Sequence, residues 1–127
     1  MKLEIKGKFI RGNITLGSKI GYTGKDFFKL QDVIDVLHKV NLERNNISKL
    51  IIPITIRESV LIGRSKISKY QEKIYILEFY SGPRGPKISK SNFLKILKEY
   101  AISLGMHLKQ ERLYIDFNGI SHVLKRN

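Results

Sequence analysis

One stretch of the chain repeats apolar residues at the three- and four-residue spacing that is typical of an amphipathic helix. Its apolar stripe consists of Phe27, Leu30, Val33, Ile34, Leu37 and Val40. The preceding residues 23–26, Thr-Gly-Lys-Asp, have the form of a capping box, in which a threonine hydroxyl accepts a hydrogen bond from an amide at the helix start. The pattern therefore predicts a first helix from Asp26 to Val40.

A second helix is predicted in the other half of the chain, from Ser91 to Leu104. Its apolar stripe consists of Phe93, Leu94, Leu97, Tyr100, Ala101 and Leu104. Ser89 or Ser91 can cap its amino end, and Gly105 is placed to terminate it. The two predicted helices are similar in length, and each has one face to bury.

Apolar and β-branched runs predict the strands. The run from Lys73 to Tyr80 is apolar on both faces, which is typical of a central strand. The run from Leu50 to Ile56 contains Pro53, which cannot donate to a strand ladder and so favours a sheet edge or a bulge. Alternating apolar residues also predict a strand between Leu3 and Phe9, and a further strand from Leu113 to Phe117.

Glycine-containing pairs predict the turns. Asn118-Gly119 is a strong hairpin pattern, so a last strand from Ile120 to Leu124 is expected to fold back on the one before it. Gly12-Asn13 lies between two apolar pairs and suggests another tight turn. Both turns would join antiparallel strands.

The order of elements is strand, helix, strand, strand, helix, strand, and the two halves echo one unit. Two helices, each with one apolar stripe, are best buried on one face of a sheet. We therefore predict an α+β fold of duplicated βαβ units, ferredoxin-like in type, with a mixed sheet of four to six strands and two helices on one face. The whole chain, residues 1–127, is expected to form a single domain.

The stretch from Gly82 to Phe117 combines a Gly-rich turn, a helix and the run Arg-Leu-Tyr-Ile at residues 112–115. This stretch resembles the end of the macrophage migration inhibitory factor branch of the tautomerase superfamily. The resemblance implies a tautomerase-like fold and assembly into a trimer. Those enzymes use an amino-terminal proline as base, whereas this chain has Lys2 and no proline before Pro53. The tautomerase chemistry is therefore not expected.

The amino-acid composition limits the classes of protein to which this chain can belong. The chain has no cysteine, which excludes disulfides and thiolate metal sites. No apolar run approaches the ~20 residues that a membrane helix needs, and the first residues alternate charged with apolar side chains, unlike a signal peptide. A cytoplasmic protein is expected.

The charge of the chain is strongly positive, with 24 Lys and Arg against 11 Asp and Glu, or +13. Residues 64–98 hold nine of the basic residues and two of the acidic ones, a net +7. Such an excess favours nucleic acid, an anionic membrane surface or an acidic protein as partner, although solubility alone would also explain it. The candidate residues for binding an anion or nucleic acid are Arg64, Lys66, Lys69, Lys73, Arg84, Lys87 and Lys90.

The loop from Ser81 to Lys90 is the best local candidate for an anion site. It joins glycines and three basic residues to the amino end of a helix, where free amides and the helix dipole favour a phosphate. The alternative is an ordinary Pro-Gly turn with solvated charges. The spacing of a Walker loop is missing.

Two carboxylates, Glu78 and Asp116, lie within apolar strands. Half-buried carboxylates on neighbouring strands can act as acid and base, but most such residues face solvent or pair with lysine. The three histidines show no metal-ligand spacing, and no serine nucleophile pattern is present. The sequence therefore predicts no catalytic residue, no metal and no cofactor, and it favours a protein that is not an enzyme.

Three functions fit these observations. The first is a basic protein that binds nucleic acid or another polyanion through residues 64–98. The second is a tautomerase-fold trimer with a degenerate or non-proline active site. The third is a small protein-binding inhibitor or accessory factor from a mobile element or virus. A homo-oligomer, either a dimer or a trimer, is also compatible with this sequence.

Overall fold

The computed structural model describes residues 1–5, 7–18, 28–45, 52–63, 70–82 and 86–126. In chain order its elements are β1 (Ile10–Gly17), α1 (Leu30–Asn45), β2 (Ile54–Gly63), β3 (Tyr70–Ser81), α2 (Lys90–His107), β4 (Arg112–Phe117) and β5 (Ile120–Lys125). In this part of the chain, no helix is long and apolar enough to cross a bilayer.

The five strands within the described residues form one sheet in the order β2-β3-β1-β4-β5, and each pair of neighbours is antiparallel. Helix α1 connects β1 to β2 across β3, and α2 connects β3 to β4 across β1. The fold is thus two interlocked split β-α-β units, with β5 added at one edge. The predicted α+β class, the number of strands and the two helices are confirmed.

Both described helices pack on the same face of the sheet, and the core lies between them and the strands. Helix α1 buries Val33, Leu37 and Val40 there. Helix α2 buries a longer stripe, which consists of Phe93, Ile96, Leu97, Tyr100, Ala101, Leu104 and Gly105. Alternate residues of the strands meet these stripes, because successive side chains of a strand point to opposite faces. The remaining strand residues form the open face, which no described helix covers.

The tight turn predicted at Gly12-Asn13 is wrong, because both residues lie inside the continuous strand β1. Gly12 faces the helices, and a Cβ there would lie 2.5 Å from Cδ1 of Leu97 and 3.1 Å from Cε1 of Phe93. The glycine is therefore explained by the close approach of α2 to the sheet. A packing constraint of this kind has the same local sequence as a turn.

The helix boundaries also differ from those predicted. Helix α1 begins at Leu30, and the capping box at residues 23–26 lies outside the described residues. At the observed start, the amide of Lys29 donates to the Asp32 carboxylate at 2.8 Å. Helix α2 continues through Gly105 to His107. Gly105 is explained by packing rather than by termination, because it is buried and a Cβ there would lie only 3.1 Å from Leu113.

Two local predictions are confirmed. Ser89 caps α2, since the amide of Asn92 donates to its hydroxyl at 3.3 Å. Asn118 and Gly119 join β4 to β5 with φ angles of 53° and 76°, as a type I′ hairpin turn requires. Each of these patterns depends on residues within four positions of one another, and the observed hydrogen bond and φ angles satisfy it.

The strand predicted between Leu3 and Phe9 is not observed in the described residues of that stretch. Leu3 and Ile5 are almost fully exposed, and β1 begins only at Ile10. Ile10 is the partner of Ser81, the last residue of β3, so earlier residues have no β3 residue left to pair with.

A polar cluster joins the two helices. The Arg44 guanidinium donates to the Glu99 carboxylate and lies 4.9 Å from the centre of the Tyr100 ring. The Tyr100 hydroxyl donates to the side chain of Asn41. Burial raises the pKa of Tyr100, while the nearby Arg44 acts in the opposite direction.

Candidate functional site

Five polar residues form one row across the sheet, one from each strand. The register pairs Thr55 with Glu78, Glu78 with Asn13, Asn13 with Asp116, and Asp116 with Ser121. Neighbouring strands are about 4.8 Å apart, so the backbones of Glu78 and Asp116 lie about 10 Å apart with Asn13 midway. We call these five residues the polar row.

The polar row lies on the open face of the sheet. Its neighbours along the strands, such as Gly12, Leu77 and Phe79, are buried beneath the helices. Because side chains alternate along a strand, residues one position away point to the other face. Glu78 and Asn13 are half-buried there, and Asp116 is exposed.

Neighbouring hydroxyl groups hold both carboxylates of the polar row. The Tyr80 hydroxyl donates to Glu78, and the Ser121 hydroxyl donates to Asp116. Thr55 adds a contact of 3.4 Å between its hydroxyl and that of Tyr80. Since each carboxylate has a hydroxyl donor beside it, its orientation is constrained before any ligand arrives.

Between the carboxylates, the side-chain oxygen of Asn13 is buried and accepts no hydrogen bond from any described residue. An unpaired buried acceptor costs free energy, on the order of 1–3 kcal/mol, and native proteins contain few of them. Asn13 also lines a cleft on this face, so a rotation of its side chain would bring this acceptor to a donor from a ligand.

A cleft of about 430 Å³ lies over this part of the sheet. Its lining residues are Arg11, Gly12, Asn13, Glu78, Asp116, Phe117, Asn118, Gly119, Ile120 and Ser121. The cleft thus combines two carboxylates and an unpaired amide oxygen with one guanidinium, on a chain whose net charge is +13. It is a local acidic site on a basic protein, and it can bind a cationic group.

The described part of the predicted basic site does not come together in one place. Lys73 lies near the start of β3 and forms an ion pair of 3.2 Å with Glu58. Lys87 and Lys90 lie beyond the other end of β3, which is about 26 Å away at the rise of a strand. Arg64, Lys66, Lys69 and Arg84 lie outside the described residues.

Lys87 and Lys90 line a second cleft, of about 650 Å³, together with Lys8. Phe9 and Ile88 contribute apolar surface to it. The Ser81 hydroxyl donates to the carbonyl of Pro86 at 2.5 Å and so ties the end of β3 to the segment that leads into α2. This basic cleft corresponds to part of the predicted loop from Ser81 to Lys90.

The sequence drew attention to only part of the polar row. Glu78 and Asp116 stood out as carboxylates within apolar strands, but their strands are not neighbours, because β1 lies between them. The sequence does not indicate Asn13 as a site residue, because the dipeptide Gly12-Asn13 is typical of a turn. A polar residue at the centre of an uninterrupted strand would have been the one local indication.

No family model matches the chain, and no curated protein matches it either. Two solved structures do match. One is a phage SAM lyase in complex with S-methyl-5′-thioadenosine, with a TM-score of 0.66 and 14% identity over 99% of this chain and 96% of that one. The other is a phage SAM lyase in the apo state, with a TM-score of 0.62 and 17% identity over 100% and 96%.

This likeness shows a shared fold. It also corrects the expectation that the chain is not an enzyme, because both matching structures are of an enzyme with the same fold. The resemblance to the tautomerase superfamily stays a prediction, since neither structure bears on it. The comparisons therefore show that this chain is similar in fold to phage SAM lyase over 99–100% of its length.

Proposed function

We propose that this protein is a lyase that cleaves S-adenosylmethionine (SAM) and releases S-methyl-5′-thioadenosine. The fold likeness to phage SAM lyase supports the reaction class. The observation that carries the proposal is the pair Glu78 and Asp116, which flank the unpaired oxygen of Asn13 in one cleft.

The charges of the cleft complement those of SAM. The substrate carries a positive sulfonium, a positive α-ammonium and a negative α-carboxylate, and the cleft offers two carboxylates and one guanidinium. A protein with a net charge of +13 repels a cationic substrate at long range, so a local acidic site is what would capture it. The ammonium is also a donor for the unpaired oxygen of Asn13.

The proposed product, S-methyl-5′-thioadenosine, is the molecule bound in one of the neighbouring structures, and it indicates which bond of SAM would break. S-methyl-5′-thioadenosine keeps the methyl and ribosyl bonds to sulfur, so the bond from sulfur to the aminobutyrate chain is cleaved and its electron pair stays on sulfur. As this bond breaks, the four-carbon fragment either loses a proton from its β-carbon to a base or closes on its own carboxylate. In the first route, the Glu78 or Asp116 carboxylate takes the proton. Neither route consumes water.

Loss of the sulfonium charge also favours turnover in this cleft. The thioether product is neutral, so the electrostatic attraction of Glu78 and Asp116 for the sulfonium ends with the reaction. The cleft would therefore attract the charged substrate more strongly than the neutral product, which favours product release.

We further propose that the protein works as a homo-oligomer, either a dimer or a trimer. The cleft is open on the sheet face, whereas small-molecule sites commonly enclose 70–90% of their ligand. The same face presents partly exposed Leu61, Tyr114 and Val123, so a second copy could cover both this apolar surface and the cleft. Mass measurement in solution tests this, and a monomer of 14.7 kDa would contradict it.

The test is incubation of the purified protein with SAM and quantification of S-methyl-5′-thioadenosine by liquid chromatography and mass spectrometry. The Glu78→Gln and Asp116→Asn variants keep the shape of the site and remove one charge each. We expect each to lower kcat/KM about 10- to 100-fold, the range for loss of a hydrogen bond to a charged group. Glu43→Gln and Asp35→Asn, on exposed positions of α1, are the matched controls.

Absence of the thioether product with the wild-type protein would refute the proposed reaction. Equal kcat/KM for all four variants would refute the assigned site while leaving the reaction standing. Analysis of the four-carbon product separates the two routes, because proton loss yields an alkene and ring closure yields a lactone.

A second candidate function is polyanion binding in the basic cleft of Lys8, Lys87 and Lys90. This second function keeps the expectation, based on the net charge, that the partner is a polyanion. It does not require the protein to lack enzymatic activity. Affinity for a duplex DNA or RNA should fall steeply with salt, because phosphate contacts release counterions, and Lys87→Ala/Lys90→Ala should reduce that slope by about 2. Lys125→Ala, at the exposed end of β5, is the control, and binding unaffected by salt would refute this function.

A further inference from the structure

The geometry points to Arg11 as the residue that selects ligands carrying an α-carboxylate, within the cleft of the polar row. This inference rests on the proposed function, because it assigns one part of the SAM molecule to one side chain. It goes beyond capture of the cationic sulfonium, which Glu78 and Asp116 explain.

Arg11 and Asn13 are alternate residues of β1, so their side chains leave the same face about 6.7 Å apart. The register pairs Arg11 with Tyr80, whose hydroxyl binds the Glu78 carboxylate. Arg11 therefore borders the same cleft as the two carboxylates, two residues along β1 from Asn13 of the polar row.

The Arg11 guanidinium forms no ion pair with the acidic groups in the described parts of the chain, although Glu78 and Asp116 line the same cleft. Its side chain is exposed. A guanidinium presents donors in a planar fork that matches a carboxylate, so an unpaired arginine beside two fixed acids is suited to a ligand that carries both signs of charge.

The positions of the charged side chains along the cleft match the positions of the charged groups in a ligand that joins a cation to an α-amino acid group. With the sulfonium and the ammonium near Glu78, Asn13 and Asp116, the α-carboxylate extends toward Arg11. If Arg11 only contributed to the general positive charge of the protein, its removal would strengthen the binding of a cationic ligand and would hardly change the binding of a zwitterion without net charge. Ligands that differ in the carboxylate alone therefore decide between the two roles.

Three thioethers provide this comparison without any reaction, because none of them has a sulfonium to cleave. S-adenosylhomocysteine carries both the amino and the carboxylate group. S-adenosyl-3-thiopropylamine is the same molecule without the carboxylate. S-methyl-5′-thioadenosine lacks both groups and reports whether the adenosine part of the site is intact.

The dissociation constants of the three ligands are measured by calorimetry for the full-length wild-type protein, Arg11→Gln and Arg11→Lys. We expect Arg11→Gln to weaken S-adenosylhomocysteine about 10- to 100-fold and to leave S-methyl-5′-thioadenosine unchanged. Arg11→Lys should give an intermediate loss, because it keeps the charge and removes the bidentate fork. Arg57→Gln, on the same face of β2, is the matched control and should change none of them.

Loss of affinity by the same factor for S-adenosylhomocysteine and S-adenosyl-3-thiopropylamine would overturn the inference, and so would no loss for either. Both results leave the proposed reaction intact, because wild-type binding persists. A wild-type protein that binds none of the three thioethers and does not bind SAM would overturn the proposed function, and this inference with it.

Discussion

Replacement of Gly12 by alanine tests the packing of α2 on the sheet. The added Cβ would lie 2.5 Å from Cδ1 of Leu97 and 3.1 Å from Phe93, and both of those side chains are fully buried. Overpacking of this kind costs about 1–3 kcal/mol. Alanine also lowers the conformational entropy of the unfolded chain, which stabilises the folded state by about 0.4–1 kcal/mol. We expect Gly12→Ala to lower the free energy of unfolding by about 1–2 kcal/mol.

The expected change is measurable by urea denaturation or by thermal melting. An unfolding entropy of about 2.1 cal/mol/K per residue over 127 residues converts each kcal/mol into a fall in Tm of about 4 °C. The predicted fall in Tm for Gly12→Ala is therefore about 4–8 °C. A turn at this position, with open space beside the glycine, would not produce this steric cost.

A double-mutant cycle isolates the contact. Leu97→Ala alone should cost about 2–5 kcal/mol, because it leaves a cavity in the core. In that background the new methyl group of Gly12→Ala has room, so the second substitution should cost nothing or stabilise the protein. The coupling energy between the two positions is expected to be about 1–3 kcal/mol. An additive cycle, with the same cost of Gly12→Ala in both backgrounds, would refute the packing explanation.

Three further substitutions test other parts of the fold. Ser89→Ala removes the cap of α2 and should lower the free energy of unfolding by about 1 kcal/mol in urea denaturation, with Ser91→Ala as a milder control. Gly119→Ala places a side chain at a φ of 76° and should lower stability by about 1–2 kcal/mol, which thermal melting detects. The third concerns pH. Because burial raises the pKa of Tyr100 in the folded state, its contribution to stability is fully present below the ordinary tyrosine pKa of about 10 and is lost as pH rises through the raised value. Tyr100→Phe should therefore lose less stability than the wild-type protein between pH 9 and about 11, and parallel curves would contradict this.

The elements that could be predicted from the sequence are those determined by neighbours in the chain. The stripe of α2, its cap at Ser89 and the hairpin at Asn118-Gly119 each depend on residues a few positions apart. Helix propensity, capping and turn geometry act over that range, so the local pattern and the structure agree.

What could not be predicted depends on residues that are distant in sequence. Gly12 is explained by Leu97, and Gly105 by Leu113, whereas the residues next to each glycine in the sequence indicate a break in structure. The polar row requires the order of the strands, which a single sequence does not contain. The net charge of +13 favours an anionic partner, whereas the cleft over the polar row combines two carboxylates with one guanidinium.

The insertion of β1 between β3 and β4 places Asn13 from the first β-α-β unit between Glu78 and Asp116 from the second. Neither unit alone contains the complete cleft, so ligand binding there requires the two halves to have joined. Ligand affinity would thus report the correct assembly of the molecule. A chain cut within residues 64–69 should regain binding only when its two fragments are mixed.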